Sequence, residues 1–378
     1  MKRWISVMLV AVMVATLFCA CGQTEVQEGL GNGWEPVDTM DLQFATQFSV
    51  DYYEGGYKLI SISDGSRFLV IPEGKEAPKG IAKDIALLYQ PLQNLYLAAS
   101  ASMCLFDALG CMDAISLSGI RQDAWYIENA AKAMEEGKIL YAGKYSEPDY
   151  EMILDHGTPL AIESTMIGHA SEVKEKLEEL GIAVLTDYAS MEPHPLGRTE
   201  WLKLYASLFD LEEKAEELFQ EQVDYMNEAA SDTSTGKTVV FFHIGSSGYV
   251  VARRSGDYVT KMIELAGGKY AFENLGDPNT VKSTVNMEME TFFATAKDAD
   301  VVIYNSAIDG EISTIEELLK KNSLLGQFKA VKEGNVWCTS QNMYQETTQL
   351  GQMVRSFHQI FTGAADDLDE VPFLTRIK

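Results

Sequence analysis

From Thr199 to Ala230 the sequence contains neither glycine nor proline, and Trp201, Leu204, Tyr205, Leu208, Phe209, Leu211, Ala215, Leu218, Phe219, Val223 and Met226 recur in steps of mostly three or four. That spacing gathers apolar side chains on one stripe of an α-helix. The run predicts continuous helix of roughly 45 Å at ~1.5 Å per residue, about the width of a domain. Its entrance, Glu192-Pro193-His194-Pro195-Leu196-Gly197-Arg198, breaks the helical pattern, because each proline ring fixes φ and biases its predecessor toward extended geometry. A helix of that length in mid-chain, with α/β-like sequence on both sides, predicts a strut joining two lobes. The alternative is one long core helix of a single large domain.

A length of 378 residues suits two domains better than one. The first twenty residues are set aside before any fold argument. Lys2 and Arg3, an apolar run from Trp4 to Phe18, and then Cys19-Ala20-Cys21-Gly22 form an export signal too short for a lasting membrane span. The small residue before Cys21 and the glycine after it resemble the lipobox of bacterial lipoproteins, in which the cysteine is lipidated and becomes the mature N-terminus. The alternative is an ordinary secretory signal. The expected organisation is a signal peptide at 1–20, a lipid-anchored flexible tether at 21–41, an N-terminal α/β lobe at 42–192, a backbone helix at 193–231 and a C-terminal α/β lobe at 232–378. The protein is expected to be exported and held at the cell surface or periplasmic face by its lipid alone.

Loss of Lys2 and Arg3 with the signal leaves 28 basic against 56 acidic side chains, a charge of −28. Nucleic acid and anionic lipid headgroups are poor partners for such a surface. Beyond Cys21 only Cys104, Cys111 and Cys338 remain, which excludes a disulfide framework and allows one bridge at most. If Cys104 and Cys111 share one helix, they lie two turns, roughly 10 Å, apart, too far to bridge.

Tyr57 to Ile62 and Phe68 to Ile71 predict a hairpin around Asp64-Gly65. Strand patterns at Asn94–Ser100, Ile115–Ser118, Pro159–Ile162 and Ala183–Leu185 then alternate with helical patterns at Met103–Leu109, Ala124–Glu136 and Ser171–Leu180. After the strut, strands at Val239–Ile244, Val301–Tyr304 and Asn335–Cys338 alternate with helices at Tyr258–Ala266, Met289–Ala296, Thr314–Lys321 and Glu346–Phe361. Alternation of this kind predicts mostly parallel sheets covered by helices, with ligands beyond the carboxyl ends of the strands and a cleft between the lobes.

No Gly-x-Ser-x-Gly elbow, phosphate loop or His-Glu-x-x-His occurs, and His156, His169, His194, His243 and His358 share no ligand-like spacing. A receptor for bare metal ions is therefore disfavoured. Carboxylates are as plentiful as a solvated acidic surface requires. The chain is expected not to be an enzyme and to need no cofactor or resident metal; the competing reading is an exported α/β enzyme using cleft carboxylates.

At Glu192 to Lys203 the pattern Glu-x-His-Pro-Leu-Gly-Arg-x-Glu-Trp-Leu-Lys resembles substrate-binding lipoproteins of ABC importers for iron complexes (ferric siderophore or haem) and cobalamin. The resemblance extends over the mature chain through Ala108-Leu109-Gly110, Asp113-Ala114-Ile115, Ala299-Asp300-Val301-Val302-Ile303 and Asn335-Val336-Trp337. It implies two Rossmann-like α/β lobes joined by one long α-helix, a ligand cleft between them, a metal chelate as cargo, and a permease with its ATPase as partner to a monomer. It further implies a docking glutamate on each lobe, whose counterparts are Glu151 and Glu290, with Glu288 as a neighbour of the second. Anionic or metal-bound oxygens on such a cargo suit arginine and tyrosine. The candidate contacts are Ser102, Arg121, Trp125 and Met166 in the first lobe and Tyr249, Arg253 and Arg254 in the second. Tyr344, with Met343, forms a weaker pair. Glu192 and Arg198 are expected to form an ion pair at the strut's entrance.

Overall fold

The computed structural model describes residues 30–31, 33–229, 234–277 and 282–378. The expected signal peptide and Cys21 lie outside them. Packed structure is present before residue 42: Leu30 is fully buried, and Trp34 packs edge-on against Tyr57 at 5.5 Å. The segment expected to be tether up to residue 41 thus already contributes to a core. Five strands follow, β1 (Asp38–Thr39), β2 (Phe48–Tyr52), β3 (Lys58–Ile62), β4 (Arg67–Ile71) and β5 (Ile85–Tyr89), in that order in one sheet. Only the β4–β5 pair is parallel. The hairpin expected at Asp64-Gly65 joins β3 to β4, with Gly65 at φ +89° in the left-handed turn.

The N-terminal lobe proper is a parallel sheet of β6 (Leu95–Leu97), β7 (Ile115–Ser118), β8 (Leu140–Tyr141), β11 (Leu160–Ser164) and β12 (Ala183–Asp187). A small hairpin, β9 (Gly143–Lys144) and β10 (Glu147–Pro148), lies outside that sheet. Helices α1 (Met103–Leu109), α2 (Glu128–Glu135), α3 (Tyr150–Asp155) and α4 (Ser171–Glu179) connect the strands. The order β12-β11-β6-β7-β8 reverses direction between β6 and β11. Loops leaving such a reversal diverge to opposite faces and open a crevice at the strands' carboxyl ends.

The strut differs from expectation in a way that changes its mechanics. It is two helices, α5 (Pro195–Ser207) and α6 (Glu212–Ala229), and not one continuous rod. Asp210 takes φ +58° between them, a conformation that aspartate tolerates better than most residues. Lys58 of β3 fixes the break, its Nζ donating to Ser207 O at 2.9 Å, Asp210 Oδ1 at 2.6 Å and Glu212 Oε1 at 2.5 Å. The two helices run antiparallel. Lys203 of α5 pairs with Glu216 of α6 at 2.8 Å and lies over the Phe219 ring. Trp201, Leu202, Leu204 and Tyr205 join Ala215 in the core of the first lobe, whereas Leu196 at the start of α5 joins Phe219, Val223 and Met226 in the core of the second. Both helices therefore bridge both lobes.

The second lobe places β13 (Thr238–Ile244), β14 (Val250–Arg253), β15 (Lys269–Tyr270), β16 (Thr284–Met287), β17 (Val301–Tyr304), β18 (Val336–Thr339), β19 (Glu370–Val371) and β20 (Leu374–Arg376) in one mixed sheet, ordered β16-β14-β13-β17-β18-β20-β19 with β15 beside β13. The central β13–β17–β18 block is parallel as expected; β14, β16, β19 and β20 add antiparallel edges. Helices α7 (Tyr258–Leu265), α8 (Met289–Ala296), α9 (Ser306–Asp309), α10 (Ile315–Lys321), α11 (Lys329–Glu333) and α12 (Leu350–Thr362) complete it. Helix α12 lies against α6 so closely that a Cβ at Gly351 would stand 2.0 Å from Gln222 O.

Candidate functional site

The carboxyl ends of the two sheets face each other. Loops after β6 and β7 of the first lobe meet the loop after β18 of the second, and three hydrogen bonds cross the seam. Tyr126 donates its backbone N–H to Gln345 Oε1 at 2.9 Å and its hydroxyl to Gln341 Oε1 at 2.7 Å, and Gln345 Nε2 donates to Ala124 O at 2.8 Å. Behind Tyr126 lies a cavity of about 390 Å³ lined by Cys104, Asp107, Glu128, Glu346 and Thr348 among others. Burial raises the Glu346 carboxyl above its ordinary pKa, and the charge of Asp107 adds to the effect.

On the second lobe, Arg253 is buried at the end of β14. It donates to the Tyr344 hydroxyl, which also accepts from Asn305 Nδ2 at 2.8 Å, and its Nη1 lies 3.6 Å from Asp257 Oδ2. Tyr270 donates its hydroxyl to Arg253 O. Arg198 of α5 stacks over the Tyr258 ring at 3.8 Å, bringing a second guanidinium to the same corner from the strut. Arg253 pairs with Asp257, whereas Arg198 donates Nη1 to Ser190 O at 3.4 Å; two guanidinium groups at this corner suit a ligand with anionic oxygens. Burial and then the Arg253 guanidinium lower the pKa of His243 on β13.

The residues expected from sequence divide by burial. Arg121 is exposed after β7 and stacks on the Tyr141 ring at 4.6 Å. Met166, after β11, and Tyr249, between β13 and β14, are 45% and 42% exposed, open enough to touch a ligand. Ser102 is fully buried. Its hydroxyl donates to Asp187 Oδ2 at 2.5 Å beside the Tyr205 hydroxyl, which ties the β6 and β12 ends to α5. Trp125 turns into the core of its lobe, and its neighbour Tyr126 is the ring that crosses the seam. Arg254 diverges from Arg253 and donates Nε to Lys282 O. Tyr344 joins Arg253 directly, and Met343 beneath it is buried. Glu151 and Glu290 are exposed in the first turns of α3 and α8, and Glu288 is exposed at the N-cap of α8.

The expected ion pair between Glu192 and Arg198 is absent. Glu192 accepts instead from Thr46 N, Thr46 Oγ1, Gln47 N and Trp201 Nε1, and Glu200 accepts from the backbone N–H groups of Gln43, Phe44 and Ala45. Two buried carboxylates of the strut region thereby bind five successive amides of the N-terminal segment. Sequence reasoning also passed over Asn305, although it is the first residue beyond the buried strand Val301–Tyr304. Glu163, near the carboxyl end of β11, is fully buried with neither carboxylate oxygen hydrogen-bonded in the protein, and burial pushes it up to about 8. Cys104, Cys111 and Cys338 are free thiols; burial pushes the first two up to about 12 and the third to about 11. Among the described residues no group of three or more His, Cys, Asp or Glu could hold a metal ion.

Comparison with known proteins agrees with this architecture. A lipoprotein of Methanocaldococcus jannaschii is 26% identical over 91% of this chain and 89% of its own length. A periplasmic haem-binding protein of Vibrio cholerae superposes with a TM-score of 0.56 at 17% identity, covering 70% of this chain and 98% of that one. A periplasmic vitamin B12-binding protein of Vibrio cholerae gives 0.51 at 16% identity, covering 72% and 98%. The pattern of the periplasmic binding protein family matches residues 118–342, from the end of β7 to the loop after β18, and the chain belongs to that family.

Proposed function

We propose that this protein is an extracytoplasmic lipoprotein that captures an iron complex or a corrinoid between its lobes and hands it to an ABC permease and its ATPase without chemical change to the cargo. The observation that carries the reading is where apolar surface is left open. Among the described residues, five of the eleven large apolar side chains that remain exposed, Tyr126, Met166, Met191, Tyr249 and Ile308, belong to the segments that leave the carboxyl ends of strands in the two facing lobes. A chelate or macrocycle with a broad apolar face and polar edges would cover such side chains. Arg253, Arg198 and Tyr344 supply charge-assisted hydrogen bonds for peripheral oxygens at one corner, and Arg121 offers a further cation on the opposite lobe.

The test is a titration of the mature soluble protein with ferric siderophores, haemin and cobalamin, read by quenching of tryptophan fluorescence. At least one should quench saturably, and Arg253→Ala with Tyr344→Phe should weaken it; no saturable quenching by any of them would remove the cargo assignment. For delivery, Glu151→Arg combined with Glu290→Arg should abolish uptake in cells and leave affinity unchanged. The lipid at Cys21 is checked by mass spectrometry of the N-terminal peptide.

A further inference from the structure

We propose that Asn305, Ser340 and Asn342 form a neutral hydrogen-bonding subsite in the second lobe that reads a carboxamide on the cargo; this rests on the cargo-binding reading above. Buried polar atoms are nearly always hydrogen-bonded, because leaving one unpaired forfeits its hydration. Among the described residues, eleven buried side-chain polar atoms have no partner in the protein, and Asn305 Oδ1, Ser340 Oγ and Asn342 Oδ1 concentrate on two abutting loops. Asn305 is 1% exposed. The loops touch through Asn305 Nδ2 to the Tyr344 hydroxyl at 2.8 Å and Ala307 N to Thr339 Oγ1 at 3.3 Å. Gln341, between Ser340 and Asn342, is the residue that bonds Tyr126 across the seam, so the cluster adjoins the facing lobe.

The chemistry of the unmatched atoms selects the group. Two amide oxygens accept and one hydroxyl can donate or accept. None is charged, and none has a cationic partner in the protein. A carboxylate would find acceptors facing it. A carboxamide presents N–H donors to Asn305 Oδ1 and Asn342 Oδ1 and a carbonyl to Ser340 Oγ. Such amides occur on the side chains of corrinoids and along the backbones of hydroxamate siderophores.

The experiment compares wild type with Asn305→Ala and Ser340→Ala, each checked for an unchanged thermal transition, in titrations with dicyanocobinamide, cobyrinic acid, ferrioxamine B and haemin. The subsite requires that cobinamide or ferrioxamine bind, that cobyrinic acid, whose side chains are carboxylates, bind more weakly than cobinamide if the corrinoid is the cargo, and that each variant lose about tenfold for the amide-bearing ligand, the size of one lost hydrogen bond. Binding by wild type with unchanged affinity in both variants, or binding of haemin alone, would overturn the subsite and leave the cargo reading standing. If neither variant keeps the wild-type transition, Asn342→Asp serves in their place: it puts a charge where the subsite requires a neutral acceptor, and equal affinity for the amide ligand would overturn the subsite. Failure of all four probes to bind wild type would overturn both.

Discussion

Replacement of Glu163 by glutamine tests how the first lobe tolerates a buried acid. The side chain is fully buried near the end of β11, with no hydrogen-bond partner for either oxygen, and burial raises its pKa from the ordinary 4.5 to about 8. The folded protein then keeps the proton over a pH range in which the unfolded chain releases it. Because the native state binds more protons between these values, stability is fully present below about 4.5 and falls as pH rises toward 8. A shift of that size corresponds to roughly 5 kcal/mol at ~1.4 kcal/mol per unit, an upper figure that water entry would reduce. Neutral glutamine is nearly isosteric and carries no such dependence. Urea unfolding of the mature protein followed at pH 5 and pH 8.5 should show Glu163→Gln near wild type at the lower pH and more stable by about 2–5 kcal/mol at the higher one. Burial raises the Tyr96 and Tyr150 hydroxyls nearby, away from this range, and both are common to the two proteins. A variant no more stable than wild type at pH 8.5, or the same pH slope in both, would refute the assignment of a neutral buried carboxyl.

Other predictions bear on the strut. Lys58→Met removes the ammonium that caps Ser207 O and holds Asp210 and Glu212, and should cost about 1–3 kcal/mol in chemical denaturation, less than a fully buried pair because both acids are partly exposed. Gly351→Ala drives a methyl into Gln222 O and should cost roughly 1–3 kcal/mol, with loosened packing of α12 on α6 visible by hydrogen exchange. Glu200→Ala should expose the amides of residues 43–45 to rapid exchange while those of 46–47, held by Glu192, remain slower. Because both strut helices are embedded in both lobes, scattering profiles with and without cargo should differ only slightly; a large compaction would mean a flexible hinge.

Local periodicity made much of the architecture readable. Met103–Leu109, Ile115–Ser118, Met289–Ala296 and Val301–Tyr304 form at the expected residues, because each is a short apolar pattern closed by its own punctuation, such as Gly110 after α1. The strut was legible as helix but not as a hairpin. Nothing within Ser207–Glu212 signals a break, since the group that caps it is a lysine about 150 residues earlier. The antiparallel strand β14 was hidden for a related reason: Val250–Arg253 is too short to assert its own pattern and is fixed by pairing with β13. That pairing separates Arg253 from Arg254, which adjacency alone had joined.

What the sequence determined by itself was set over a few residues: two α/β bodies by alternating periods, and a helical connection between them. Tertiary structure decided which side chains meet. It buried Ser102 and Trp125, brought Tyr126 to Gln341 and Arg253 to Tyr344, left Asn305 and Glu163 without partners, and turned Glu192 from an expected partner of Arg198 into an anchor for Thr46 and Gln47. These outcomes depend on burial and on contacts between residues far apart in the chain, where the energy of a polar group is set by what surrounds it and not by its neighbours in sequence.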